Sequence, residues 1–129
     1  MSKALPHTDA RLLAWLRLTY LRGVGPVLVK RLLEHLMTPD AILAAHPAAL
    51  GAIEGIGTAK ASQIVASAPG TVAEATAELL RIKERGITLL PLDDGLYPPA
   101  LKTIPDPPLV LYVRGEIQPA DAVAIGIVG

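Results

Sequence analysis

The chain has no cysteine and no phenylalanine, a single tryptophan and three tyrosines among 129 residues. Without thiols there is no disulfide scaffold, no thiolate zinc site and no cysteine nucleophile, a pattern that suits a reducing compartment. With Trp15, Tyr20, Tyr97 and Tyr112 as the only rings, a platform of aromatic side chains for stacking single-stranded bases is not expected within this stretch. The longest purely apolar run, Ala122 to Val128, is far shorter than the roughly 20 residues that span a bilayer. Met1 to Ala10 holds Lys3, Pro6, His7 and Asp9 and lacks the apolar segment of a secretory signal. No membrane partner is expected, and a cytoplasmic location is the default.

Charge is balanced, with 12 Lys and Arg against 12 Asp and Glu, so no net field selects a polyanion. The balance is uneven along the chain. Residues 1–70 carry seven basic and four acidic residues, while residues 71–129 carry five and eight. The apolar half of the composition, 51%, is mostly Ala and Leu, which predicts helices packed closely through small side chains.

Residues 8–86 read as consecutive short helices, because apolar residues recur at helical spacing and are interrupted by single Gly or Pro residues. Thr8 or Asp9 is expected to cap the first helix, with Leu12, Leu13, Leu16 and Tyr20 on its buried side. Pro26, Pro39 and Pro47 suit first turns, where a missing N–H costs nothing. Thr71 and Glu74 have the spacing of a capping box, and Gly86 sits where a left-handed residue ends a helix.

From Ile87 the pattern changes to the β-branched runs Ile87–Leu90, Leu109–Val113 and Val123–Val128. Seven of the 12 prolines fall between Pro91 and Pro119, which predicts an extended, irregular connection rather than helix. The last run is apolar on both faces, as strands are in parallel sheets covered by helices. Two parts are expected: a helical domain at 1–86, and at 87–129 a proline-rich connection with the first strands of a Rossmann-like α/β sheet. A fully buried strand ending in a glycine suggests that a further element follows Gly129.

Leu21-Arg22-Gly23-Val24-Gly25-Pro26 aligns with Ile53-Glu54-Gly55-Ile56-Gly57-Thr58, 32 residues further on. Leu32 and Leu33 then correspond to Ile64 and Val65, so each glycine hairpin enters an amphipathic helix with the same face buried. This is a duplicated helix-hairpin-helix. Glycine lets backbone amides approach a phosphate beside the positive end of the following helix, and such a contact carries no sequence information. The candidate DNA-contacting residues are Gly23, Gly25, Lys30 and Arg31 in the first hairpin and Gly55, Gly57, Thr58 and Lys60 in the second. Arg22, Lys30 and Arg31 add charge to the first, where Pro26 removes one amide; Glu54 opposes an anion at the second. About two neutralised phosphates give a salt slope of only about −2, hence weak binding at physiological salt. The same hairpins are also a compact way to join antiparallel helices. On that reading they are purely structural, the helical domain is a regulatory protein-interaction module, and Gly25→Val or Gly57→Val lowers stability.

No catalytic, metal or cofactor site is expected. His7, His35 and His46 lack metal-ligand spacing, Asp93-Asp94-Gly95 fits a turn, and Ser2, Ser62 and Ser67 stand in no nucleophile elbow.

The segment from Asp94 to Gly115, with Tyr97-Pro98, Asp106-Pro107-Pro108, Leu111-Tyr112-Val113 and Gly115, followed by Ala124 to Gly129, resembles the DNA processing protein A family (DprA, also called Smf). The Gly23-Val24-Gly25 and Gly55-Ile56-Gly57 hairpins are similar to its sterile-alpha-motif-like (SAM-like) N-terminal domain. The resemblance implies a bacterial, cytoplasmic, non-enzymatic protein of natural transformation that binds incoming single-stranded DNA and loads the RecA recombinase. It also implies that the main DNA surface and self-association belong to a Rossmann domain lying mostly beyond Gly129, the helical domain being accessory.

Overall fold

The computed structural model describes residues 7–114 and the short strand Ile127–Val128. Six helices come first: α1 (His7–Thr19), α2 (Pro26–Leu36), α3 (Pro39–Leu43), α4 (Pro47–Gly51), α5 (Gly57–Ser67) and α6 (Thr71–Glu84). They are followed by β1 (Ile87–Pro91), the one-turn α7 (Pro99–Lys102), β2 (Val110–Arg114) and β3 (Ile127–Val128). Pro26, Pro39 and Pro47 each open a helix, as their missing amides require. Gly86 ends α6 at φ +66, its amide donating to the Lys83 carbonyl at 3.2 Å.

Two capping expectations are corrected. Helix α1 begins at His7, so Asp9 lies inside its first turn, and its buried carboxylate pairs with Lys83 of α6. At α6 the expected capping box does not form: the helix begins at Thr71 and Gly70, its N-cap, is itself in the right-handed helical region. The turn from α5 stays helical, so the Thr71 hydroxyl reaches back and donates to the Ala68 carbonyl at 2.6 Å. It accepts from Arg17 Nε at 2.9 Å, and Arg17 Nη2 donates to the same carbonyl at 3.1 Å.

Helix α1 is buried on two sides. Trp15, Leu18 and the following Leu21 enter a core with Val29, Leu32, Ile42, Leu50, Ile53, Ile56 and Ile64. On the other side Leu16 joins Ala75, Leu79, Ile82 and Leu89, with Leu12, Leu13 and Tyr20 at the edge. Serving both cores is why this helix is rich in Leu around most of its circumference.

The strands β1, β2 and β3 form a sheet in that order. Both pairings are antiparallel, with Leu89 opposite Tyr112 and Tyr112 opposite Val128. The parallel arrangement inferred from the apolar last run is thus not the one adopted at β3. An apolar run reports burial of both faces, which strand direction does not alter. Residues 122–126, the earlier part of that run, lie outside the described residues. In the proline-rich connection, Pro99 begins the single helical turn α7 where an irregular path was expected. Proline at the first helical position is favourable even where proline within a helix is not.

The helical part and the sheet share contacts. Leu109 packs in the first core, Arg11 pairs with Asp93 at 2.6 Å, and the Tyr112 hydroxyl donates to Glu78 at 2.8 Å. Tyr97 is sealed beneath the sheet with Leu90, Leu111 and Val113, its hydroxyl donating to the Pro108 carbonyl at 2.7 Å.

Candidate nucleic-acid interface

The duplication read in the sequence becomes an approximate two-fold arrangement of helices. The hairpin between α1 and α2 rests against α5, and the hairpin between α4 and α5 rests against α2. A Cβ at Gly23 would lie 2.6 Å from Gln63 Oε1, and one at Gly55 would lie 2.7 Å from Arg31 Nη1. Gln63 and Arg31 are themselves 32 residues apart, like the two glycines they cover. Both glycines have left-handed backbones, φ +87 and φ +91, so conformation demands glycine, while the side-chain ends that cover them, Gln63 and Arg31, are flexible enough to shift.

This geometry moves Arg31. By sequence distance its charge belongs to the first hairpin, but its Nη1 donates to the Glu54 carbonyl at 3.0 Å, in the second. A cation is thereby delivered beside Glu54, the residue that should repel an anion. Proximity in sequence puts Arg31 at the first hairpin, and the repeat carries the signal for the second, since two-fold packing makes each second helix face the opposite hairpin.

The two hairpins differ in what they present. At the first, the Arg22 amide donates to Ser67 Oγ at 3.1 Å and is consumed. Gly25 is extended at φ −107 and caps α2, and Pro26 offers no amide. Val27 is 47% exposed, so this entrance is partly apolar. At the second, Gly57, Thr58 and Lys60 are all exposed at the start of α5, whose first amides have no intrahelical acceptor. The eleven-residue α5 adds its dipole at that end. Lys30, half-buried on α2, is the remaining predicted cation.

His35, Asp94 and Tyr112 are structurally engaged. His35 Nδ1 donates to the Arg31 carbonyl at 2.9 Å within its helix. Asp94 Oδ1 accepts the Leu96 amide at 2.9 Å, which makes the Asp93-Asp94-Gly95 segment the expected turn. Tyr112 is held strongly towards its neutral form by burial, then by its bond to Glu78. Among the described residues no helix is long and apolar enough to cross a membrane.

The fold and site thus define a tandem helix-hairpin-helix unit of the SAM-like kind joined to the opening of an antiparallel sheet. The family model for the SAM-like helix-hairpin-helix tandem matches residues 16–68, and that for DNA recombination-mediator protein A matches residues 88–129. The chain is 34% identical over 119 residues to Protein Smf of a Synechocystis species, an alignment covering 89% of this chain and 29% of that protein. It belongs to the DprA/Smf family. The chain therefore spans less than a third of the length of the curated relative it matches. No solved structure matches it.

Proposed function

We propose that the protein is a DNA recombination mediator, and that its tandem hairpins form an accessory site for the nucleic-acid backbone. The carrying observation is the exposed entrance to α5, where Gly57, Thr58 and Lys60 surround the positive end of an eleven-residue helix. Arg31 supports it by standing over the same hairpin. Six residues of α5, about 9 Å at 1.5 Å per residue, separate Gly57 from the point where Gln63 meets the other hairpin. One strand, rising about 3.4 Å per nucleotide, covers that span in two to three nucleotides. Such contacts read no bases, so the module positions DNA without selecting sequence.

In this reading the whole protein binds single-stranded DNA, self-associates and hands the strand to RecA through its Rossmann domain, with no catalysis of its own. The helical unit is the auxiliary grip, and the division at residue 86 separates the two roles. Charge reversal at Lys30 and Lys60 together is expected to weaken binding to unrelated sequences equally. Unchanged affinity would remove the reading.

A second reading is favoured by the way Arg31, Gly23 and Gly55 are used inside the fold. There the hairpins are joints, and the partly apolar entrance at Val24, Pro26 and Val27 meets a protein. Under it, hairpin charge reversal leaves DNA affinity alone.

A further inference from the structure

Helix α1 sets Ala10, Arg11, Ala14 and Trp15 along one side, as residues one turn apart on a helix must fall. Thr38, Pro39 and Asp40 at the start of α3, with Asp93 beyond β1, complete a cleft of about 350 Å³ against that side. Trp15 lines it while only 3% exposed. An indole N–H can only donate, and a buried one ordinarily finds an acceptor. Tyr97 and Tyr112 do so with their hydroxyls, through Pro108 and Glu78. No described residue accepts from Trp15, yet no buried side-chain nitrogen is sealed away unpaired. Its N–H therefore opens to solvent, through the cleft that Trp15 lines. The charges there are unbalanced as well. Arg11 is held by Asp93 at 2.6 Å and lies 3.8 Å from Asp94. Asp40 forms no ion pair among the described residues, which leaves three carboxylates against one guanidinium. Met37, the residue before Thr38, is 76% exposed and adds a large apolar side chain beside the cleft.

We propose that this cleft docks a basic segment of a protein partner, a stretch of chain carrying Arg or Lys beside an apolar residue. A backbone carbonyl of that segment accepts the Trp15 N–H, its cation lies between Asp40 and Asp93, and its apolar residue packs on Met37. Two independent observations define the occupant. The unpaired donor calls for a carbonyl oxygen, and the excess of carboxylates calls for a cation. Nucleic acid suits the cleft poorly, because its phosphates would meet that excess of negative charge. Nor can a base stack on Trp15, whose ring is packed in the first core and shows only its N–H edge. No hairpin residue lines the cleft, so the surface is separate from the proposed DNA site. A cleft of this size takes only a short segment, so an isolated peptide binds weakly.

Trp15 is the only tryptophan, so its indole N–H gives a single resonance in the isotope-labelled chain and reports on the cleft directly. The probe is the blocked peptide Ala-Leu-Ala-Arg-Ala-Leu-Ala, and its control carries Glu in place of Arg. The Arg peptide is expected to shift the indole resonance with a Kd below about 1 mM. The Glu peptide is expected to bind at least about tenfold more weakly. Asp40→Asn is expected to weaken the Arg peptide about threefold, the size of one exposed ion pair. Trp15→Phe, followed by fluorescence anisotropy of the labelled peptide, is expected to weaken it several-fold by removing the donor. Lys60→Glu, at the hairpins, is expected to leave peptide binding unchanged, which separates a failure here from a failure of the DNA site. An indole resonance that the Arg peptide does not move, equal affinity for the two peptides, or indifference to Asp40→Asn would each overturn the proposal. So would an oligothymidine strand that moves the resonance at a lower concentration than the Arg peptide does.

Discussion

Arg31 donates from Nη1 to the Glu54 carbonyl 3.0 Å away, so the second helix of one hairpin motif clamps the turn of the other. Gln63, its counterpart in the repeat, packs over Gly23. The duplication therefore builds one unit from two motifs, each turn covered by a side chain from the other motif's second helix. Arg31 and Gly55 are coupled through this contact. Gly55→Ala is expected to cost about 2 kcal/mol, about half of it from the left-handed backbone and the rest from displacing Arg31. In an Arg31→Ala background the same change is expected to cost only about 1 kcal/mol. A urea-denaturation double-mutant cycle measures the difference, and strict additivity would show that the two do not interact.

The glycines within one hairpin are not equivalent. Gly25 is extended at φ −107, and a Cβ there would meet nothing within 4 Å. A left-handed backbone is therefore not what makes Gly25→Val costly: the position is extended, and the expected loss comes from valine being a poor helix N-cap. Gly25→Ser is expected to be neutral or slightly stabilising, because serine is a favoured helix N-cap. Gly23→Ser, at φ +87, is expected to lose at least about 1 kcal/mol. Comparing the midpoints of the two variants by thermal or urea unfolding checks the contrast.

The junction of α5 and α6 depends on one hydroxyl. Thr71, buried at 1% exposure, accepts from Arg17 and donates to Ala68. Thr71→Val keeps the shape but strands the Arg17 donor. The expected loss is about 1–2 kcal/mol with an unchanged denaturant slope.

Tyr112 links the sheet to α6 and gives the fold an alkaline limit. Burial, then its bond to Glu78, raises the phenol above the ordinary value of 10.0. A group whose folded value is raised binds more protons in the folded state once pH exceeds the unfolded value. Its contribution is therefore complete below about pH 10 and is lost as pH rises above it. Stability is expected to fall with pH above 10 more steeply in the unaltered chain than in Tyr112→Phe. That variant is expected to cost about 1 kcal/mol at neutral pH, allowing for partial exposure of the bond. Equal slopes for the two chains would remove Tyr112 as the cause.

Much of this is legible in the sequence. Prolines at first turns, Gly86 at a helix end and the β-branched runs Ile87–Leu90 and Leu109–Val113 are signals carried by local chemistry, and each marks an element to within a residue. The repeat disclosed both hairpins because a left-handed turn needs glycine wherever it occurs. What sequence distance could not supply was the partner of a long side chain. Arg31 crosses to the other hairpin, Asp9 leaves its cap for Lys83, and Thr71 turns back to Arg17. Each choice is made by packing between helices, which overrides the nearest local use of the group. Strand direction at β3 was hidden for a related reason, since an apolar run records burial and nothing about the direction of its neighbour.

The proposed accessory grip on DNA is tested most directly by fluorescence anisotropy of the chain with labelled single- and double-stranded oligonucleotides, titrated across salt. Binding is expected at low salt, with a logarithmic salt slope of about −2 for two neutralised phosphates, similar for unrelated sequences. Lys60→Glu is expected to flatten that slope by about 1. An absence of binding at low salt, or binding that Lys60→Glu leaves unchanged, would contradict the account and assign the hairpins to the architecture of the domain.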